Sequence, residues 1–196
     1  MADSMKPGVI RPWKHKGFDD GLHADFIGGL PLWDQRLIVA ACYRRVDLVF
    51  DALTNGANVH RVDKTGYTAL HWALYRSASD VVGRCAVATA LLDAGADPTK
   101  RDSDGWTPLH IAAFWADSAE VYGCVLFHHT VTPSTRLRLL NAKNKYGEAA
   151  EEEARGRGKN TTAAYLSEVK RRTEQELSGD AGAIEWAKVR TDHFLP

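Results

Sequence analysis

Apolar residues recur along this chain at a spacing far longer than one helix or strand. Leu37 and Leu70 stand 33 residues apart, and so do Ala40 and Ala73. Self-similarity at such a period marks a repeat architecture. Each unit carries two apolar runs. Leu37 to Ala41, Leu70 to Leu74 and Leu109 to Ala113 make the first. Leu48 to Leu53 and Leu91 with Leu92 make the apolar stripe of a second helix. Punctuation between the runs agrees. Thr68 and Thr107 can cap the first helix, and Pro108 suits its first turn. Gly56 and Gly95 can stop the second helix in a left-handed residue. Gly66 and Gly105 permit the positive φ of a hairpin-like turn ahead of the first helix. The pattern predicts an all-α chain of paired short helices.

The polar residues of each unit sharpen this reading. Asp63, Gly66, Thr68, Leu70, His71 and Ala73 keep the same order as Asp102, Gly105, Thr107, Leu109, His110 and Ala112. Units close on Gly56-Ala57-Asn58 and Gly95-Ala96-Asp97. Over roughly residues 30–168 the chain thereby resembles the ankyrin repeat family. That resemblance implies an all-α solenoid of about four helix-turn-helix repeats. The outer two are degenerate caps, since an end repeat has a side facing water. The first lacks the opening Gly and holds Trp33, Gln35 and Arg36; the last has Ala149, Ala150, Glu151 and Glu152 where Thr-Pro-Leu-His would stand. Residues 1–29, with Trp13, Phe18 and Phe26, read as an irregular N-terminal arm, and residues 169–196 as a helical tail.

Two units are longer than the period. Leu70 to Leu109 is 39 residues, and Gly105 to Gly147 is 42. The first excess falls in residues 77–86, where Asp80 can cap a lengthened helix. The second falls in 128–140, where His128 takes the place of the closing Gly and Ser134 can cap an extra helical turn. A final short helix is expected at 183–189, after a break at Ser178 and Gly179.

Composition narrows the function. The 25 basic and 25 acidic residues cancel, which removes a whole-molecule electrostatic case for nucleic acid or an anionic membrane. Three cysteines (Cys42, Cys85 and Cys124) do not make a disulfide framework and suit a reducing compartment. Pro7, Gly8 and Pro12 interrupt any signal-peptide core, and no apolar run is long enough to span a bilayer. A cytoplasmic or nuclear protein is expected.

Candidate chemistry is sparse. The resemblance makes His71 and His110 structural, each bonding within its own repeat and to the next turn. Cys124 with His128 and His129 lacks the spacing of a zinc site. Glu148, Glu151, Glu152 and Glu153 suit the positive end of a helix better than acid–base work. Gly156 to Lys159 lacks the full phosphate-loop pattern. The chain therefore reads as no enzyme, with no catalytic residue, metal or cofactor.

What remains is recognition. The family's free positions, carried over one by one, place Tyr43, Lys64, Tyr67, Tyr75, Arg76, Trp106, Phe114, Trp115 and Tyr146 on a concave face. Thr65, Ser103, Asp104, Lys145 and Arg157 lie beside them. Aromatic residues dominate this set against 9% of the whole chain, and Tyr, Trp and Arg supply interface hot spots. The competing reading packs some of them between repeats or under the arm. A second patch is basic: Arg61 with Lys64, Lys100 with Arg101, and Lys143 with Lys145 at successive turn tips. A module binding one or more proteins is expected, with no small-molecule substrate and no membrane insertion. The alternative is a permanent subunit of a larger assembly, docked by its arm and tail.

Overall fold

The computed structural model describes residues 27–75, 80–116 and 118–179. Among them nine helices follow one another: α1 (Leu32–Cys42), α2 (Val46–Thr54), α3 (Ala69–Leu74), α4 (Val81–Asp93), α5 (Pro108–Trp115), α6 (Ala119–Leu126), α7 (Pro133–Asn141), α8 (Ala150–Gly156) and α9 (Asn160–Ser178). They form two layers. α1, α3, α5 and α8 pack side by side as the inner row, each against the next. α2, α4 and α6 make the outer row, while α9 closes it against α7 and α8. The four expected helix pairs are all present, and the fold is an all-α solenoid.

Small residues explain the close inner row. Ala40, Ala41, Ala73, Ala112, Ala113 and Ala150 are fully buried, with Leu37, Leu70 and Leu109 filling between them. The outer row is less uniform than its apolar run suggests. On α2 only Val49 and Ala52 are buried, while Leu48 and Phe50 remain exposed. Among the described residues no further helix covers that side of the first repeat, and the stripe is half used.

Side-chain acceptors start the helices. Thr68 Oγ1 accepts the His71 N–H, and Asp80 Oδ1 accepts the Gly83 N–H at 2.9 Å. In the second insert Thr132, not Ser134, takes the cap: its Oγ1 accepts the Thr135 N–H at 3.2 Å, and Pro133 opens α7. That helix runs nine residues, longer than the single turn expected. Glycines end the units as the sequence predicts, with φ of 87° at Gly56, 89° at Gly95 and 82° at Gly179. The tail boundary expected at residue 169 falls inside α9, which is continuous to Ser178 and buries Leu166, Val169 and Thr173. The arm aromatics Trp13, Phe18 and Phe26, and the helix expected at 183–189, lie outside the described residues.

Cations cap helix C-termini across repeats. Lys159 Nζ donates to the carbonyls of Ala113, Phe114 and Ala116 at 3.3, 2.6 and 3.0 Å, at the end of α5. Arg44 Nη2 donates to the Tyr75 carbonyl at 3.0 Å, past the end of α3. Arg136 Nε donates to the Leu126 carbonyl at 2.9 Å, at the end of α6. Each positive charge meets carbonyls that the helix itself leaves unsatisfied. Lys159, whose surroundings lack the phosphate-loop pattern, is thus a strut between the third and fourth repeats.

Candidate functional site

The turns that join repeats are built on one acceptor each. Asp63 Oδ1 accepts the N–H of Thr65 and of Tyr67 at 2.8 and 2.9 Å. Asp102 Oδ1 does the same for Asp104 and Trp106, at 2.8 and 2.7 Å. In the last repeat Asn144 Oδ1 replaces the carboxylate, accepting from Tyr146 and Glu148 at 2.9 and 3.0 Å. Successive turns are also bonded to one another. Ser103 N–H donates to the Thr65 carbonyl at 3.1 Å, and Lys145 N–H to the Asp104 carbonyl at 3.0 Å. The turn tips therefore form one continuous ribbon.

His71 and His110 tie this ribbon to the inner helices. Nδ1 of His71 accepts the Thr68 N–H at 3.2 Å, so its Nε2 carries the proton and donates to the Trp106 carbonyl at 3.2 Å. His110 repeats the arrangement with the Thr107 N–H at 3.3 Å and the Glu148 carbonyl at 3.1 Å. Burial lowers both imidazoles to a pKa of about 4, against the opposing pull of those carbonyls. These rings are structural struts, as expected.

The struts make the fold acid-sensitive. An unfolded histidine titrates near 6.5, so acid protonates the unfolded chain before the folded one. Stability should fall as pH drops from about 6.5 towards 4, by roughly 3 kcal/mol for each ring at the lower limit. Asp102, raised to about 6 chiefly by burial, works in the opposite sense, one group against two. Urea midpoints across this range measure the slope. A flat profile, or the same slope in His71→Gln, would remove the histidines as its source.

The expected concave aromatic face is not a surface. Tyr67, Tyr75, Trp106 and Phe114 are only 4%, 3%, 1% and 7% exposed, and Trp115 is half-buried. The rings pack on one another instead. Tyr67 meets Trp72 at 5.3 Å between centroids, Trp72 meets Tyr75 at 5.2 Å, and Tyr75 meets Trp115 of the next repeat at 5.2 Å. Phe114 sits 4.9 Å from Trp115 and 5.8 Å from Trp106. Arg157 of the last repeat covers it, its Cζ 3.6 Å from the ring centroid. Rings this size, packed within the second and third repeats and across the junction between them, bury their apolar area as packing. The competing reading, internal packing, therefore holds for most of the set. Trp72, absent from the expected face, donates Nε1–H to Asp63 Oδ2 at 2.8 Å and joins the ladder to the turn. Of the remaining members, Tyr43 and Lys64 are exposed and Tyr146 is half-buried. Arg76 lies outside the described residues.

The basic edge keeps part of its charge available. Arg61 is tied to the buried Asp34 at 2.9 Å, and Lys145 pairs with Asp104. Arg101 Nη2 donates to the Lys143 carbonyl at 2.6 Å, bridging two turns. Lys64, Lys100 and Lys143 are exposed. Beside them opens a groove of about 530 Å³ lined by Thr99, Arg101, Arg138, Asn141, Ala142 and Lys143. Arg138 comes from α7, so the second insert supplies the groove's far wall. Sequence spacing placed the turn lysines in a row but gave no signal that α7 would fold back beside them.

Paired helices in two layers, joined by turns that hydrogen-bond in series, define a helical repeat protein of solenoid type. Residues 37–131 match the family model described as ankyrin repeats (3 copies), and this stretch belongs to the ankyrin repeat family. The last helix pair, α8 and α9, lies beyond the matched residues. Similar curated proteins include the Neurogenic locus Notch protein of Drosophila melanogaster, 37% identical over 91 residues. The Neurogenic locus notch homolog protein 1 of Danio rerio is 36% identical over 92 residues, and that of Homo sapiens 36% over 91. Each alignment covers 46% of this chain but only 3–4% of the relative. The chain thus matches only a small part of the length of these relatives. Among the described residues, no helix is long and apolar enough to cross a membrane.

Proposed function

We propose that this chain is a non-enzymatic protein-binding module whose recognition edge is the row of turn tips and the cationic groove beside it. Ankyrin repeats are generally protein–protein interaction modules, which supports the coarser half of this reading. The observation that carries the finer half is the groove itself: Arg101 and Arg138 line it, Lys143 rims it, and Lys100 stands next to it. Three cations lining one cleft, with Lys100 as a fourth beside it, favour an acidic segment of a partner. With most of the aromatic residues engaged in packing, charge and turn shape are the main things the edge offers.

Affinity capture followed by binding kinetics of the captured protein tests the reading. Lys100→Glu with Lys143→Glu should slow association about tenfold and flatten its salt dependence, because exposed charges act mainly on encounter. Arg101 is left alone, since it braces the Lys143 carbonyl. An on-rate indifferent to both salt and the double substitution moves recognition elsewhere.

One observation favours the alternative of a permanent subunit. Leu32, Leu48 and Phe50 of the first repeat are 59%, 45% and 55% exposed. Apolar side chains at the open end of a solenoid suit a lasting contact. Protection of α1 and α2 from hydrogen exchange only within a purified assembly would support it.

A further inference from the structure

The second and third repeats meet at a cluster of nitrogen and oxygen donors that the repeat pattern does not require. Asp93 is the last residue of α4, and His128 and His129 follow the end of α6, which packs against α4. His128 Nε2 lies 3.2 Å and His129 Nε2 3.5 Å from the same oxygen, Asp93 Oδ1. One ligand atom from each of the three residues falls within 4.8 Å of the others. The two rings lie 4.3 Å apart between centroids, tilted by 37°.

His128 carries the second, independent observation. It is 8% exposed, and its buried Nε2 has no hydrogen-bond partner despite its nearness to Asp93. Its other nitrogen is engaged: Nδ1 lies 2.8 Å from Thr130 Oγ1. Nδ1 also accepts the Thr130 N–H at 3.4 Å, so in the free protein Nε2 carries the proton beside Asp93 Oδ1. A bound cation takes the place of that proton, and Nδ1–H then donates to Thr130 Oγ1. A histidine oriented by a hydrogen bond on its far nitrogen is the usual arrangement of a metal ligand.

We infer that Asp93, His128 and His129 form a site for one zinc-class divalent cation clamped between the second and third repeats. Ligands at about 2.0–2.1 Å around a tetrahedral ion stand about 3.3–3.4 Å apart, and the two observed separations bracket that value. Imidazole with one carboxylate suits zinc and its first-row neighbours, not magnesium or calcium. α4 and α6 both end at the cluster, so their C-terminal carbonyls add negative potential. With the Asp93 side chain 50% and that of His129 73% exposed, water completes the coordination sphere and the ion has an open path.

The effect of occupancy follows from the architecture. A solenoid is held by nearest-neighbour contacts, so an ion shared by two repeats strengthens one junction directly. Isothermal titration of the whole chain with Zn2+, and Co2+ absorption spectroscopy, test the site. Wild type should bind one equivalent, with tetrahedral d–d bands and no thiolate charge-transfer band. Zinc at a hundredfold excess over its dissociation constant should raise the thermal midpoint by several degrees. Asp93→Asn and His128→Ala should each weaken binding at least tenfold, and Thr130→Val about tenfold through ring orientation. Cys85→Ser with Cys124→Ser should leave it unchanged. Should His128→Ala fold poorly, Asp93→Asn decides, since it alters a half-exposed carboxylate at a helix end. No saturable binding, binding equal in wild type and Asp93→Asn, or binding lost with the cysteines would each overturn the site.

Discussion

Truncating Trp106 to alanine should cost about 3–5 kcal/mol of folding stability, the range for a buried indole leaving a cavity. Trp106 is 1% exposed and lies among the largest fully buried side chains of the described residues. It touches Phe114 and His110 through its ring, while its carbonyl accepts the proton of His71 from the preceding repeat. Removing the ring loosens both attachments. Native domains hold only about 5–15 kcal/mol in total, so the loss is a large share of it. Urea denaturation followed by far-ultraviolet circular dichroism measures the shift. The fraction that stays folded should bind partner with nearly parental affinity, since the indole reaches no surface. An unchanged midpoint with weakened binding would return Trp106 to the recognition face.

The second large effect is expected at Gly66. Its φ is 88°, a region costly for any side chain and most costly for a β-branched one. A Cβ there would also stand 2.8 Å from Ser103 N and 3.0 Å from Asp102 Cα, both backbone atoms of the next turn. Neither can move without breaking the bond from Ser103 to the Thr65 carbonyl. Gly66→Val should therefore destabilise by about 3 kcal/mol or more, combining strain with the separated turns. Gly147 supplies the control. Its φ is 77°, but a Cβ would meet nothing within 4 Å, so valine there costs only the strain of about 1–2 kcal/mol. Gly105, 3.2 Å from Lys145 N, should fall between. Equal losses at all three glycines would show that turn-to-turn contact contributes nothing.

These two residues also mark where sequence reading succeeds and where it stops. Gly66 was legible because a positive φ restricts the residue type locally, whatever surrounds it. Trp106 was not. Its family position borders a concave surface, and a large aromatic residue there suits an interface hot spot and an inter-repeat wedge equally well. Packing decided it: the indole lies against Phe114 and His110, and Arg157 of the last repeat covers Phe114 in turn. Lys159 is a parallel case. Its three hydrogen bonds to the end of α5 join residues more than 40 positions apart, which no local motif encodes.

Local chemistry thus determined the helix pairs, their caps and glycine stops, the period of the array, and its degenerate ends. Each follows from backbone conformation or from the acceptor that a nearby side chain presents. Tertiary structure alone decided which aromatics are core, which cations remain on the edge, and that the second insert folds α7 beside the turn tips to make a groove. It also brought Asp93 to His128 and His129 where the sequence offered only Cys124 as a neighbour. The physical reason is common to all of these. A side chain's exposure and ligand set are properties of the surface packed against it, and in a solenoid that surface belongs to the adjacent repeat.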